Sequence, residues 1–311
     1  MEKEAFLNKY NIEKGDFDKT GLDFIKLNHL KNQYEEKYNK LRNAAQFLIN
    51  NFYDAPKVHS VRYRIKNPEH LVAKIIRKKI EDTELQIDIN NYEEVITDLI
   101  GLRIMHLFKE DWEKIHDFIV NNQNMAEKPV AYIRDGDSLD YINSFKNKGC
   151  DVKEHPYGYR SVHYLLKIQN GKQFHFAEIQ VRTIFEEAWS EIDHKVRYPY
   201  NLDNHLLSHF LVLFNRLAGS ADEMGSYVRY LNEQLAMQEE KQKHALARKE
   251  EIIQELKKKI SESMNEPELI SGLENELDKI KAINEEDKEN NEINIPDLSG
   301  LKLPYQNKPS D

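Results

Sequence analysis

The chain has 311 residues, of which 40% are hydrophobic and 32% are charged. Such a composition predicts a globular protein with one sizeable core and a smaller helical appendage. No apolar run approaches the roughly 20 residues that cross a bilayer, and residues 1–10 lack the pattern of a signal peptide. A formal net charge of −9 opposes general nucleic-acid binding, and a single cysteine excludes an intrachain disulfide. We therefore expect a cytoplasmic protein that does not bind a membrane.

The N-terminal part of the chain is predicted to be helical up to Pro56. Apolar residues between Leu22 and Leu48 recur at spacings of three and four, which is typical of one long amphipathic helix. A second helix is predicted at residues 68–79, because Pro68 stands where the first turn of a helix tolerates proline. The basic residues that precede or decorate this second helix are Arg64, Lys66, Lys74, Arg77 and Lys78.

Strands and helices alternate in the middle of the chain. A nearly continuous apolar run at residues 99–108 predicts a central buried strand, although Arg103 places a charge inside it. A helix is predicted at residues 110–122, a short strand at 130–133, and a further helix that ends at Lys146. Strands interleaved with helices favour a mixed α/β sheet that is covered by helices.

A hairpin with a polar face is predicted after that helix. Its strands, at residues 161–169 and 174–182, flank Asn170 and Gly171, a dipeptide that favours a tight turn. The alternation of the second strand sets a carboxylate, an amide and a guanidinium on one face of an otherwise apolar strand, which predicts a functional site. These three residues are Glu178, Gln180 and Arg182. The residues that share one face of the first strand are Tyr159, Ser161 and His163.

Beyond Asn201 the pattern is entirely helical. Apolar residues from Leu206 to Leu256 predict a long, partly coiled-coil helix, and Pro267 marks a turn into a second helix. We therefore expect a C-terminal antiparallel helical hairpin, followed by a flexible polar tail at residues 290–311. Long helices with apolar stripes favour a homo-oligomer.

Four segments occur in order along the chain: RIKNPEHLVAKIIRK from Arg64, DLIGLRI from Asp98, GYRSVHY from Gly158 and EIQVRT from Glu178. Together they resemble the synthetase domain of the RelA/SpoT family, whose members transfer pyrophosphate from ATP to the 3′ hydroxyl of GDP or GTP. Four separated motifs in order are far more specific than one short pattern. The chain looks most like the stand-alone, or small, alarmone synthetases of that family.

The resemblance implies a fold and a division of the chain. The fold is a nucleotidyltransferase-like mixed β-sheet flanked by helices, of the α/β (α+β) class, with an N-terminal helix and a C-terminal helical hairpin or coiled coil. The expected parts are an N-terminal helical segment at residues 1–58, the synthetase domain at 59–200, a C-terminal helical region at 201–289 and the flexible tail at 290–311.

The resemblance also implies the roles of two acids. Asp98 and Glu178 match the family's ligands of Mg²⁺, and Glu178 is expected to take the proton of the attacking hydroxyl, aided by burial that raises its pKa. Each acid also has a purely structural interpretation. Asp98 suits an N-terminal cap, and Glu178 suits a strand residue paired with Arg182 on the same face.

Further residues match substrate-binding positions of the family. Arg64 and Arg103 match the arginines whose planar guanidinium groups sandwich adenine, and Lys66 and Lys74 match cations on the ATP phosphates. Without the resemblance, both lysines would be interpreted as solvated surface charges. Tyr159 matches the tyrosine that stacks on the acceptor guanine, although a core tyrosine has the same signature. The other expected substrate-binding residues are Ser161, His163, Gln180, Arg182 and His194, the last two on the acceptor side.

Two positions depart from the family pattern. His70 replaces a usual serine and His155 replaces a usual lysine, both expected near phosphate, so the resemblance leaves the identity of the acceptor open. Two Glu-x-x-His patterns, at residues 113–116 and 191–194, match the ligand spacing of di-metal helical bundles. The predicted strands between them disfavour such a bundle.

The function implied by the resemblance is that of a Mg²⁺-dependent GTP pyrophosphokinase, a transferase that makes (p)ppGpp-type alarmones from ATP and GDP or GTP. One alternative is a toxic relative that pyrophosphorylates the 3′ end of tRNA, which the acidic net charge disfavours. The other is a catalytically weak nucleotide-binding sensor whose helical hairpin binds a partner.

Overall fold

The computed structural model describes residues 2–170, 173–197 and 204–262, together with positions 272, 275, 278–280 and 282. The chain divides into two compact units, Met1–Glu223 and Met224–Asp311. All the predicted site residues belong to the first unit. The second helix of the predicted C-terminal hairpin falls almost entirely outside the described residues, and the tail at 290–311 falls wholly outside them, so these two parts stay predictions. The fourfold division of the chain stays a prediction as well.

Six strands form one mixed sheet in the order β1-β2-β6-β5-β3-β4. Their bounds are β1 Ser60–Ile65, β2 Ile100–His106, β3 Val130–Ile133, β4 Asp151–Glu154, β5 Ser161–Asn170 and β6 Gln173–Thr183. The pairs β2–β6 and β3–β4 are parallel and the other neighbours are antiparallel. The predicted mixed sheet and its β5–β6 hairpin are confirmed. Asn170 pairs with Gln173 inside the ladder, so it belongs to β5 and not to the predicted turn, whose other residue, Gly171, falls outside the described residues.

The described part of the chain forms nine α-helices. They are α1 Lys3–Lys9, α2 Lys14–Lys19, α3 Phe24–Asn50, α4 Pro68–Glu81, α5 Tyr92–Val95, α6 Trp112–Asn122, α7 Leu139–Asn147, α8 Ile184–Arg197 and α9 His205–Glu262. The predicted N-terminal helix is α3, and the predicted long C-terminal helix is α9. A search of the described helices finds none with the length and apolar character needed to cross a membrane.

The two faces of the sheet have opposite character. On one face, residues such as Leu102 of β2 and Ile179 of β6 are fully buried, and α3 and α6 pack against them. Burial of such a side chain contributes about 1.5–3 kcal/mol, so this face contributes strongly to the stability of the sheet. Because side chains alternate along a strand, the neighbours of these residues point to the other face, where Arg103 and Glu178 lie.

The connection between β1 and α4 is fixed by a helix cap. The Asn67 side chain accepts hydrogen bonds from the backbone N–H groups of Glu69 (2.9 Å) and His70 (3.3 Å), and Pro68 opens the helix as predicted. The buried Tyr34 of α3 donates its hydroxyl to the Lys66 carbonyl over 2.8 Å. The two contacts hold the segment that carries the predicted donor-side lysines.

An acid with an elevated pKa lies where α9 meets the end of β6. Asp222 is 1% exposed, and its Oδ2 accepts a hydrogen bond of 2.9 Å from the Thr183 hydroxyl. Burial and the nearby Glu186 carboxylate raise the pKa of Asp222 to about 8, against the lowering effect of Thr183, Arg160 and Lys109. Asp222 is therefore protonated at neutral pH.

We expect Asp222 to make the folded protein less stable as pH rises. In the unfolded chain an aspartate ionises near pH ~4, whereas the folded protein retains this proton up to about pH 8. The folded state therefore binds more protons between these values, and the free energy of unfolding falls as pH rises through that window. Asp222→Asn removes this pH-dependent contribution to stability. The melting temperature of the variant, measured by circular dichroism, should therefore rise relative to that of the wild type between pH 5 and pH 8. Asp135→Asn, at an exposed position, is the control, and parallel wild-type and Asp222→Asn curves would contradict the prediction.

Candidate active site

A cleft of about 240 Å³ opens on the polar face of the sheet. The strand register aligns its floor: Arg64 of β1 stands opposite Gly101 of β2, and Gly101 stands opposite Glu178 of β6. Arg103 and Gln180 form the next pair along the same two strands and also line the cleft. Residues from three separate sequence motifs therefore meet in one place.

Gly101 keeps the floor of the cleft open. A Cβ atom at this position would lie 3.4 Å from Cγ and 3.5 Å from Nε of Arg64, so the arginine side chain lies against the bare backbone. A larger side chain would compete with Arg64 for this part of the cleft. Sequence reasoning assigned no role to Gly101, and its position inside the DLIGLRI motif was the available signal.

Arg103 is held by two carboxylates of α8. Its Nη1 donates to Oε1 of Glu187 over 2.9 Å and also to Oε1 of Glu191. Burial lowers the pKa of Arg103, but the two carboxylates outweigh burial and hold the pKa above its ordinary value. The charge inside the central strand thus faces the cleft, and α8 orients it. Neither glutamate was predicted as a partner of Arg103, and the only signal for this role was their spacing of four residues on one helix.

Asp98 binds two lysines just before β2. Its Oδ2 lies 2.7 Å from Nζ of Lys66 and 2.7 Å from Nζ of Lys74. Burial raises the pKa of Asp98, but the two ammonium groups outweigh burial and lower the pKa. The Lys66 side chain is only 11% exposed, so it is not the solvated surface charge of the alternative interpretation. Oδ1 of Asp98 is buried and has no hydrogen-bond partner among the described residues.

Glu178 is half-buried and oriented by two neighbours on the sheet. Its Oε1 lies 3.2 Å from Nδ1 of His163, and its Oε2 accepts a bond of 3.3 Å from Nε2 of Gln180. Burial raises the pKa of Glu178, but His163 outweighs burial and lowers the pKa, so the predicted upward shift is wrong. The alternative ion pair between Glu178 and Arg182 is not found either. Nη2 of Arg182 donates to Oε1 of Gln180, and its Nη1 lies 3.4 Å from Oε2 of Glu187. Glu178 is therefore ionised at neutral pH.

His163 connects Glu178 to Tyr159. The Tyr159 hydroxyl lies 3.1 Å from Nε2 of His163, whose other ring nitrogen faces the carboxylate. The two ring nitrogens of His163 therefore bridge the carboxylate and the tyrosine hydroxyl, and the tautomer sets which of them donates. The guanidinium carbon of Arg182 lies 5.0 Å from the centre of the Tyr159 ring, and this side chain is 1% exposed. Arg182 therefore supports the ring from inside the protein.

Two predicted positions lie elsewhere than expected. Ser161 is buried, and its hydroxyl donates to the Val181 carbonyl over 3.2 Å, so it joins β5 to β6 instead of facing a substrate. His194 was expected on the acceptor side with Arg182. Burial and the charge of Arg64 lower the pKa of His194, which places it on the Arg64 side of the cleft.

The two residues that depart from the family pattern have different surroundings. Burial, Lys66 and Arg64 lower the pKa of His70, which puts this ring beside the donor-side cations. The His155 ring lies 5.2 Å from the Tyr159 ring. His155 therefore belongs to the aromatic surroundings of Tyr159, and the expectation that both histidines lie near phosphate stays a prediction.

The two acids suit magnesium better than a metal with an all-protein ligand set. Among the described residues, no group of three or more His, Cys, Asp or Glu side chains is arranged to hold a metal ion. Magnesium in phosphate-transfer sites needs one or two carboxylates and takes its other ligands from phosphates and water. Asp98 has an unpartnered buried oxygen, and its charge acts on Glu178. Members of the two disfavoured Glu-x-x-His patterns have other partners, because His116 lies 3.1 Å from the Tyr164 hydroxyl and Glu191 binds Arg103.

Comparison with known proteins identifies the segment that builds the cleft. Residues 63–203 match the family described as "Region found in RelA / SpoT proteins". We refer to this matched segment as the RelA/SpoT domain. It contains all four sequence motifs and every predicted site residue, from Arg64 to His194.

The RelA/SpoT domain has curated relatives in Bacillus subtilis (strain 168). The GTP pyrophosphokinase YwaC is 28% identical over 150 residues, which are 47% of this chain and 61% of YwaC. The GTP pyrophosphokinase YjbM is 30% identical over 152 residues, which are 48% of this chain and 60% of YjbM. The matched part therefore spans about three fifths of the length of these relatives.

Solved structures also match the chain. Small alarmone synthetase 1 from Bacillus subtilis is 23% identical, with a TM-score of 0.44, over 66% of this chain and 94% of that one. A GTP pyrophosphokinase family protein from Streptococcus pneumoniae is 23% identical, with a TM-score of 0.43, over 76% of this chain and 98% of that one.

Proposed function

We propose that this protein is a Mg²⁺-dependent GTP pyrophosphokinase that uses ATP as the donor and GDP or GTP as the acceptor, and so makes (p)ppGpp-type alarmones. The observation that carries the proposal is the strand register that sets Arg64, Gly101 and Glu178 side by side in one cleft. The RelA/SpoT domain and the two GTP pyrophosphokinase relatives support it.

The donor side of the cleft suits a purine nucleotide. Arg64 and Arg103 offer planar guanidinium faces on either side of the space that Gly101 leaves open, and a flat base stacks on such faces. Lys66 and Lys74 supply two cations close to this space for the phosphates. They pair with Asp98 before a nucleotide arrives, which offsets their charge.

Asp98 and Glu178 are the residues that would hold Mg²⁺. The ion, when bound, offsets the negative charge of the phosphates as the pyrophosphoryl group moves. The unpartnered Oδ1 of Asp98 and the ionised carboxylate of Glu178 provide oxygen atoms of the type that magnesium prefers.

The acceptor side suits a nucleoside whose 3′ hydroxyl must lose a proton. The acceptor base stacks on Tyr159, and the Tyr159–His163–Glu178 chain sets the distance between this platform and the carboxylate. The 3′ oxygen bonds to the β-phosphorus of ATP, the bond from that phosphorus to the α-phosphate oxygen breaks, and AMP leaves. Glu178 takes the proton of the hydroxyl, a role that suits its ionised state.

The test follows a label from ATP into the acceptor. The protein is incubated with Mg²⁺ and γ-labelled ATP, together with GDP, GTP or deacylated tRNA. We expect label in GDP or GTP. Label in tRNA alone would favour the toxic relative, and the absence of label from all three would favour the nucleotide sensor. A cytoplasmic location and assembly into a homo-oligomer stay predictions.

We expect Arg64→Lys to weaken ATP binding selectively. Lysine keeps the charge but loses the planar face, and a cation–π contact of this kind contributes about 1–2 kcal/mol, so the KM for ATP should rise about tenfold. The KM for GDP should stay unchanged. Steady-state kinetics with each substrate varied in turn provide the measurement, and Arg248→Lys on an exposed part of α9 is the matched control. An equal rise in both KM values would contradict the assignment of Arg64 to the donor.

A further inference from the structure

We propose that Asn215 of α9 is a positioning residue for the acceptor base, because it fixes the loop that carries Tyr159. The inference rests on the proposed function, since it deepens the account of the acceptor site. Asn215 lies outside the RelA/SpoT domain, which ends at residue 203. The first turns of α9 thereby become part of the acceptor site without touching the acceptor.

Asn215 binds the residue that precedes Tyr159. Its Nδ2 donates to the Gly158 carbonyl over 2.9 Å, and the side chain is buried at 8% exposure. Gly158 has a φ of +71°, a backbone conformation that glycine adopts at no steric cost. A Cβ atom there would lie 3.1 Å from Cγ of Arg134 and 3.4 Å from Nδ2 of Asn215. The loop is thus pressed against both residues.

The amide of Asn215 is fixed at both ends. While Nδ2 donates to the loop, Oδ1 accepts a bond of 3.1 Å from Nη1 of Arg134, the residue that follows β3. A buried amide with both ends bonded has one orientation. If the Asn215 amide were turned by 180°, its N–H groups would face the N–H groups of Arg134 and its oxygen would face the Gly158 carbonyl. Asn215 therefore links the Tyr159 loop to the end of a sheet strand.

The residue that follows Tyr159 is also fixed beneath α9. Arg160 donates to both oxygens of the buried Asp137, with a distance of 3.0 Å from Nε to Oδ2. A Cβ atom at Gly219 would lie 2.8 Å from Nη1 of Arg160. Glycine at this position therefore lets the helix approach, and both neighbours of Tyr159 are clamped from the same side.

This part of α9 is itself attached to the elements that carry the cleft. Trp189 of α8 donates its indole N–H to the Leu211 carbonyl over 2.9 Å, and the Thr183 hydroxyl at the end of β6 donates to Asp222 over 2.9 Å. The same strand carries Glu178, so the position of α9 sets the spacing between the acceptor platform and the carboxylate.

The test compares Asn215→Asp with Asn232→Asp, a matched substitution at an exposed position of the same helix. Aspartate keeps the oxygen that faces Arg134 but lacks the donor to Gly158. The loss of a hydrogen bond of about 1.4 kcal/mol weakens binding of the acceptor by a factor of about ten. We therefore expect the KM for the acceptor to rise about tenfold in Asn215→Asp. The KM for ATP should change less than twofold in both variants. Gly219→Ala, which forces a methyl group toward Arg160, should shift the acceptor KM in the same direction.

Hydrogen exchange gives a readout that does not depend on activity. In the protein without nucleotides, the amides of residues 158–160 should exchange faster in Asn215→Asp than in Asn232→Asp or the wild type. Unchanged exchange would overturn the inference, as would unchanged acceptor KM values or equal rises for both substrates. If the wild type transfers no label while the loop exchange responds as expected, the proposed function fails and the anchoring of the loop by Asn215 stands.

Discussion

Glu178→Gln is expected to lower the rate of pyrophosphate transfer by about 10²–10⁴-fold, the usual contribution of a positioned proton acceptor. Glutamine preserves the size of the side chain on β6 but cannot take a proton, and it provides a weaker oxygen ligand for Mg²⁺. The protein should remain folded, because Glu178 is half-buried and lies on the face away from the core. Initial rates of label transfer and the melting temperature are the measurements.

Glu154→Gln is the matched control for this variant. Glu154 is an exposed strand residue of the same sheet, so its substitution tests the effect of removing one carboxylate from β-structure. It should retain full activity. Retention of more than half of the wild-type rate by Glu178→Gln would exclude the proposed proton acceptor, and a loss of the circular dichroism signal would assign a structural role to Glu178.

Asp98→Asn is expected to remove activity and to destabilise the fold together. Two ammonium groups lie 2.7 Å from one oxygen of Asp98, and asparagine leaves them without a counter-charge. The removal of one partner from a buried ion pair costs about 3–5 kcal/mol, and we expect the lower end because Lys74 is partly exposed and can turn toward water. Urea unfolding measures the loss of stability.

A double substitution separates these two effects. Lys66→Met removes the more buried ammonium group, so it should cost less stability in the Asp98→Asn background than in the wild type. Activity should stay lost in the double variant, because the proposed ligand for Mg²⁺ is still missing. Additive losses of stability would show that the Lys66–Asp98 pair contributes nothing, and recovered activity would remove Asp98 from the catalytic site.

Periodic sequence patterns predicted most of the fold. The stripe along α3 and the alternation of β6 are long enough to show a period, and both elements were predicted close to their observed bounds. The sequence analysis predicted no strand at β1 or β4, the two edges of the sheet. β1 carries arginines at Arg62 and Arg64, and the four residues of β4 lack a buried apolar side chain, so pairing with a neighbouring strand stabilises each edge.

The motifs predicted which residues meet, but their partners depended on tertiary structure. His163 faces Glu178 because of the exact pairing of β5 with β6, and this contact reversed the expected pKa shift. Arg103 meets Glu187 because α8 folds back across the sheet, and no local pattern reports that crossing. Gly101 has no side chain to mark its role, which became apparent only when Arg64 was seen against it.

In the proposed reaction, an intact pyrophosphoryl group moves from ATP to a 3′ oxygen of the acceptor within the cleft. The most direct measurement follows ATP and GDP by ³¹P NMR during turnover with Mg²⁺ and identifies the products by mass spectrometry. We expect AMP and guanosine 5′-diphosphate 3′-diphosphate in equal amounts. Formation of ADP with inorganic phosphate, or of AMP with free pyrophosphate and unchanged GDP, would contradict it.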